Sequence, residues 1–153
     1  EKAYNLMLPL FEVMGKKSVL CGSASSGQAA KACNNMLLAT TMIGVGEAFN
    51  LGENLGLDLK KLFDVLSTST GNCWAINTYC PIEGVGPNSP ADNNFQPGFS
   101  GNLMLKDLTI ALKAINDTNT SAPFGAKSQL NFKRMIDDNK GELDFSAIVN
   151  FNK

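Results

Sequence analysis

Histidine is absent from all 153 residues. That excludes a Ser-His-Asp or Cys-His nucleophile and zinc sites of the usual Cys/His kind, so no metal ligand is expected. The four cysteines, Cys21, Cys33, Cys73 and Cys80, form no CxxC pair, and free thiols in a reducing compartment are expected rather than a disulfide framework. Charge of one sign is lacking too. The formal net charge is -1, from 13 basic and 14 acidic residues, which gives no electrostatic case for nucleic acid or an anionic membrane. No apolar run reaches the roughly 18 residues of a membrane span. The N-terminus lacks a signal-peptide layout, and repeats and low-complexity tracts are missing. The sequence opens on Glu1 without an initiator methionine, which reads as a processed product or an excised piece. What is present is an ordinary 44% of hydrophobic residues, enough for one well-cored domain.

The hydrophobic spacing is helical almost throughout. Lys2 to Met14 reads as a short amphipathic helix, weakened by Pro9 and ended at Gly15 in the manner of a C′ glycine. Ser18–Cys21 reads as a short strand, which needs a sheet to join. Gly27 to about Asn54 is the dominant element. Met36, Leu37, Leu38, Met42, Ile43, Val45, Phe49 and Leu51 set apolar groups nearly all round it, which predicts a helix buried on most sides. Gly44, Gly46 and Gly52 are expected where neighbouring backbones pack closely. Asp58 is placed to cap a second helix with Leu59, Leu62, Phe63, Val65 and Leu66 on its buried face. Trp74, Ile76 and Tyr79 mark a short helical piece, and Pro81 to Gly98 a long loop. Helices follow from Asn102 to about Asn116 and from Pro123 to about Asp138, the latter burying Phe124, Leu130, Phe132, Met135 and Ile136. A short element spans Phe145 to Val149. The expected class is all-α, with strand confined to the first twenty or so residues.

The chemistry concentrates in Cys21 to Asn35, where a small-residue loop runs into the long helix. Lys31 and Asn35 stand one turn apart on the same face. Ser25 and Gln28 have capping-box spacing, which puts Lys31 near the positive end of the helix dipole. Burial beside Ala29, Ala30 and Met36 would add desolvation, and the two effects together would suit a proton-exchanging amine. On spacing alone, an ordinary exposed lysine opposite a core face is the favoured reading. Lys106 and Asp107 read on chemistry alone as an exposed charge pair.

These motifs together resemble the β-hydroxyacid dehydrogenases. Gly22 to Asn35 is similar to the family's catalytic segment, a glycine-rich loop followed by a lysine and, four residues on, an asparagine. Phe99, Lys106, Asp107 and Leu108 resemble its second C-terminal signature. Gly71-Asn72-Cys73-Trp74, with Tyr79, Pro81 and Gly84-Val85, is closest to the branch acting on 3-hydroxyisobutyrate. The likeness implies a helical domain of the 6-phosphogluconate-dehydrogenase-like type at residues 22–153, used for substrate closure and dimerisation. Residues 1–21 would be the last helix and strand of a Rossmann NAD-binding domain whose GxGxxG loop this sequence lacks. Ala24 and Ser25 stand where relatives commonly have glycine.

By the same likeness, Lys31 would be the general acid/base, with Asn35 orienting it and binding substrate. Gly27, Gln28, Phe99 and Asp107 would contact or shape the substrate, and Lys106 would approach the NAD ribose. The reaction implied is oxidation of 3-hydroxyisobutyrate to methylmalonate semialdehyde, a step of valine catabolism, by hydride transfer to NAD. These residues alone would be inactive. A tartronate semialdehyde or glyoxylate reductase and a non-catalytic dimerisation scaffold are the competing readings. The expected partners are a small 3-hydroxy acid and a second copy in a homodimer or homotetramer, with no nucleic acid or membrane. The compartment follows the source: mitochondrial matrix if eukaryotic, cytoplasm if bacterial.

Overall fold

The computed structural model describes residues 1–96 and 98–151. Helix α2, Ser26–Asn54, is its axis: 29 residues, about 43 Å at 1.5 Å per residue. Asn35, Ala39, Met42, Phe49 and Gly52 mark its buried stripe at three- and four-residue spacing, widened by Ile43, Val45 and Gly46. Helices α5 (Gly101–Asp117) and α6 (Pro123–Asp137) pack on that stripe and on each other. The C-terminal 3-10 helix, Phe145–Phe151, is wedged against all three. Their shared core holds Met104, Leu108, Phe132, Met135, Phe145 and Ile148, each at most 2% exposed. Helix α3 (Leu59–Thr68) packs on α2 near its C-terminal end, where Leu62 meets Gly52, and the single turn α4 (Trp74–Asn77) also packs on α2. Among the described residues no helix is long and apolar enough to cross a membrane.

Sequence signals at the helix starts are met in two places: Asp58 Oδ1 accepts from the backbone N–H groups of Lys60 and Lys61, and Pro123 opens α6. Helix α5 is capped by Ser100, whose Oγ accepts from the backbone N–H of Leu103. Other expectations fail. Ser18–Cys21 is not a strand, and none forms among the described residues, because no neighbouring strand offers it a hydrogen-bond partner. Gly15 does end α1 (Lys2–Met14), but with an extended φ of -155° rather than a left-handed one. Val65, Phe124 and Leu130 are 58%, 76% and 52% exposed, so they lie off the core faces assigned to them. Helix α2 is buried along one side only, with Leu37 and Leu51 at 66% and 60% exposure.

Among the described residues, helix α1 packs against no other named helix and buries none of its own side chains. Its tie is to the segment just after it, through Tyr4 Oη and Ser18 Oγ at 2.7 Å.

Of the α2 glycines, Gly46 is where the 3-10 helix makes its closest approach. A Cβ there would lie 2.6 Å from Val149 Cγ1. Gly44 faces open space. Gly46→Ala should therefore cost about 1–3 kcal/mol through overpacking, whereas Gly44→Ala should gain about 0.5–1 kcal/mol of helix propensity. Urea denaturation of the two variants checks the opposite signs.

Candidate active site

Three positively charged or amide side chains converge on one buried carboxylate. Asp107, on the second turn of α5, has a side chain only 6% exposed. Asn35 Nδ2, from α2, donates to its Oδ2 at 2.6 Å. Lys31 Nζ, one turn earlier on α2, stands 3.8 Å from the same oxygen. Lys106 Nζ lies 3.4 Å from Oδ1. A buried carboxylate is costly unless paired and hydrogen-bonded, and here two cations and an amide supply that compensation. The spacing on each helix makes this possible: Lys31 and Asn35 share the α2 face that meets α5. Lys106 and Asp107 are therefore part of a half-buried cluster spanning two helices rather than a solvated pair.

Beside the carboxylate is a small cavity of about 120 Å³, lined by Gln28, Lys31, Ala32, Lys106, Asp107 and Ile110. That volume suits a carboxylate or hydroxyl group and its adjacent carbons rather than a whole dinucleotide. Two ammonium groups facing one carboxylate leave an excess of one positive charge, which favours an anionic ligand. Both lysines are more than half exposed, at 56% and 57%, and a lysine offers three N–H donors. Donors thus remain for a ligand.

The expected burial of Lys31 is not found, since Ala29 and Ala30 beside it are exposed. The capping box is not formed either. Ser25 takes the left-handed conformation, φ 73°, and its side chain makes no capping bond. Its carbonyl instead accepts from Ala29 N at 3.1 Å. Left-handed backbone is free for glycine and strained for serine, which gives a reason for the glycine that the family resemblance led us to expect there.

Gly27 is exposed in the first turn of α2 and is not part of the cavity wall. Phe99 is not part of it either. Its ring packs edge-on against Phe145 at 5.9 Å, and its N–H donates to Asp144 Oδ2 at 2.8 Å. That second carboxylate was missed by sequence reasoning. Asp144 is 1% exposed, and it also accepts from Tyr79 Oη, Ser146 N and Ser146 Oγ. Among the described residues no lysine or arginine pairs with it. The one local hint was a serine two residues after an aspartate, a spacing that suits a side chain folding back on the backbone. Burial first, and the Asp144 charge second, hold the Tyr79 phenol well above its usual value near 10.

The all-helical architecture, built on one long central helix, is that of the helical C-terminal domain of the 6-phosphogluconate-dehydrogenase-like fold. Residues 25–152 match the family described as "NAD-binding of NADP-dependent 3-hydroxyisobutyrate dehydrogenase". The "Probable 3-hydroxyisobutyrate dehydrogenase" of Mycobacterium tuberculosis H37Rv is 48% identical over 141 residues, 92% of this chain and 48% of that protein. The Drosophila melanogaster "3-hydroxyisobutyrate dehydrogenase, mitochondrial" is 41% identical over 153 residues, 100% of this chain and 47% of that protein. The solved structure of the Mycobacterium tuberculosis enzyme with L-serine superposes with a TM-score of 0.93 at 46% identity, covering 98% of this chain and 51% of that one. The chain belongs to the 3-hydroxyisobutyrate dehydrogenase family, and it spans about half the length of the curated relatives it matches.

Proposed function

We propose that the chain is the substrate-handling and dimerisation half of an NAD-dependent dehydrogenase. That enzyme would oxidise 3-hydroxyisobutyrate to methylmalonate semialdehyde, as in valine catabolism. The observation that carries the reading is the convergence of Lys31, Asn35 and Lys106 on buried Asp107 at the mouth of one small cavity.

In the reaction the hydroxyl proton leaves as hydride departs from the adjacent carbon. NAD, when bound, supplies the hydride acceptor. Lys31 acts from its neutral amine form: Nζ takes the hydroxyl proton and becomes the ammonium that pairs with Asp107, and in the reverse direction the ammonium returns that proton. Asn35 donates to the substrate oxygen with the Nδ2 hydrogen that Asp107 leaves unused. Asp107 fixes the spacing of the two lysines, so that positioning is supplied before the substrate arrives. Gln28 closes the cavity at the start of α2, and Lys106 turns toward the cofactor ribose. Gly27 and Phe99 stand outside the cavity as folded here. Their contribution to substrate binding requires closure by the rest of the enzyme, which would also exclude water from Lys31.

The unpartnered helix α1 supports residues 1–21 as the end of a preceding domain, with residues 22–153 as the helical one. The exposed leucines of α2, Leu37 and Leu51, support pairing with a second copy. Sedimentation at micromolar concentration should then give a dimer or larger, and a monomer alone would contradict that pairing.

The test of the function is turnover by the full-length protein, followed by NADH absorbance. Oxidation of 3-hydroxyisobutyrate, faster than reduction of tartronate semialdehyde, is expected. The opposite preference would move the protein to the reductase branch. No turnover of either, with NAD bound, would favour the scaffold.

A further inference from the structure

The Asn35 carboxamide is engaged at both ends. Its nitrogen donates to Asp107 Oδ2 at 2.6 Å, and its oxygen accepts from Asn34 Nδ2 at 3.2 Å. The oxygen and nitrogen of a carboxamide are nearly equal in size and shape, so its partners decide which way it faces. Ionised Asp107 offers acceptors only and selects the nitrogen. Asn34 offers a donor and selects the oxygen. The two requirements agree, and each alone excludes the flipped amide less completely than both together.

The contact with Asn34 is not a by-product of helix geometry, since consecutive helical side chains point away from each other. Asn34 also forms part of the wall of a separate apolar cavity of about 420 Å³, with Leu37, Leu38, Cys73 and Trp74.

We propose that Asn34 is a positioning residue of the active site. By donating to Asn35 Oδ1 it sets the amide so that Nδ2 faces Asp107 and keeps its second hydrogen for a ligand oxygen. The proposal rests on the reading of Lys31 and Asn35 as the substrate-handling pair, and its test separates the two.

Asn34→Asp preserves shape and replaces the donor by an acceptor. Asn35 would then meet acceptors on both sides and could satisfy the introduced carboxylate only by turning its oxygen onto Asp107. Asn34→Ala removes the donor without imposing the flip. The full-length protein is labelled with 15N-asparagine, and the Asn35 side-chain amide signals are assigned by their loss in Asn35→Asp. Asn34→Asp should displace those signals and lower kcat by about 10- to 100-fold, with the KM for NAD unchanged. Asn34→Ala should give a smaller change in both.

Unmoved Asn35 signals in Asn34→Asp would overturn the proposal. So would displaced signals with an unaltered kcat, because the amide orientation would then be without consequence. If the wild-type protein turned over no hydroxy acid, the functional reading would fall, and the amide signals would still decide whether Asn34 sets Asn35.

Discussion

Lys31→Ala should lower turnover of 3-hydroxyisobutyrate by the full-length enzyme by about 10²- to 10⁴-fold, the range of a lost general acid/base, while leaving NAD binding nearly intact. The separation follows from where the side chain sits. Lys31 lines the small cavity and faces Asp107 across 3.8 Å, with Lys106 on the other carboxylate oxygen. Removing Lys31 leaves Asp107 with Asn35 and Lys106, so the buried carboxylate keeps partners and the fold should hold. Stopped-flow absorbance for hydride transfer, with fluorescence titration of NAD, reads the two effects independently. Loss of cofactor affinity in proportion to the loss of turnover would mean that Lys31 binds rather than transfers a proton.

The second large effect is on stability and lies away from the Lys31–Asp107 cluster. Asp144→Ala should cost about 3 kcal/mol or more, because it strands donors that a buried carboxylate now satisfies. Four hydrogen bonds end on Asp144: from Tyr79 Oη, Phe99 N, Ser146 N and Ser146 Oγ. They tie the α4 region and the loop before α5 to the start of the C-terminal 3-10 helix. Asp144→Asn keeps the volume but turns one acceptor into a donor, and should cost roughly 2 kcal/mol. Urea denaturation at pH 7 checks both.

The same knot has a pH signature. The Tyr79 phenol is raised above its unfolded value, by burial first and by Asp144 second. Its contribution is fully present below about pH 10 and is lost as pH rises from there toward the folded value. Wild-type stability should therefore fall more steeply above pH 10 than that of Tyr79→Phe, and equal slopes would show that the phenol contributes nothing.

Helix placement was legible in the sequence because its signals are local. The periodicity from Gly27 to Asn54, the Asp58 cap and the proline at the start of α6 all act within one or two turns. Exposure was less legible, since Phe124 and Leu130 satisfy helical spacing while facing away from α2. The sequence pattern could not report which side had a neighbour. That Lys31 and Asn35 share one face was readable from their four-residue separation, while the role assigned to them came from the family resemblance. The partner that unites them, Asp107, is 72 residues from Asn35, so its burial and its role as the shared acceptor required the packing of α5 on α2. Asp144 was hidden for the same reason, because Tyr79 lies 65 residues before it.

The central claim is that Lys31 moves the hydroxyl proton at a site organised by Asp107, and chemical rescue tests it most directly. A small primary amine such as ethylamine, added to full-length Lys31→Ala, can occupy the space left by the side chain beside Asp107 and accept the proton in its place. Turnover should rise with amine concentration and saturate, while the wild type and a Lys106→Ala variant gain nothing. Failure of every small amine to restore Lys31→Ala, with substrate and NAD still bound, would contradict the assignment of proton transfer to this lysine.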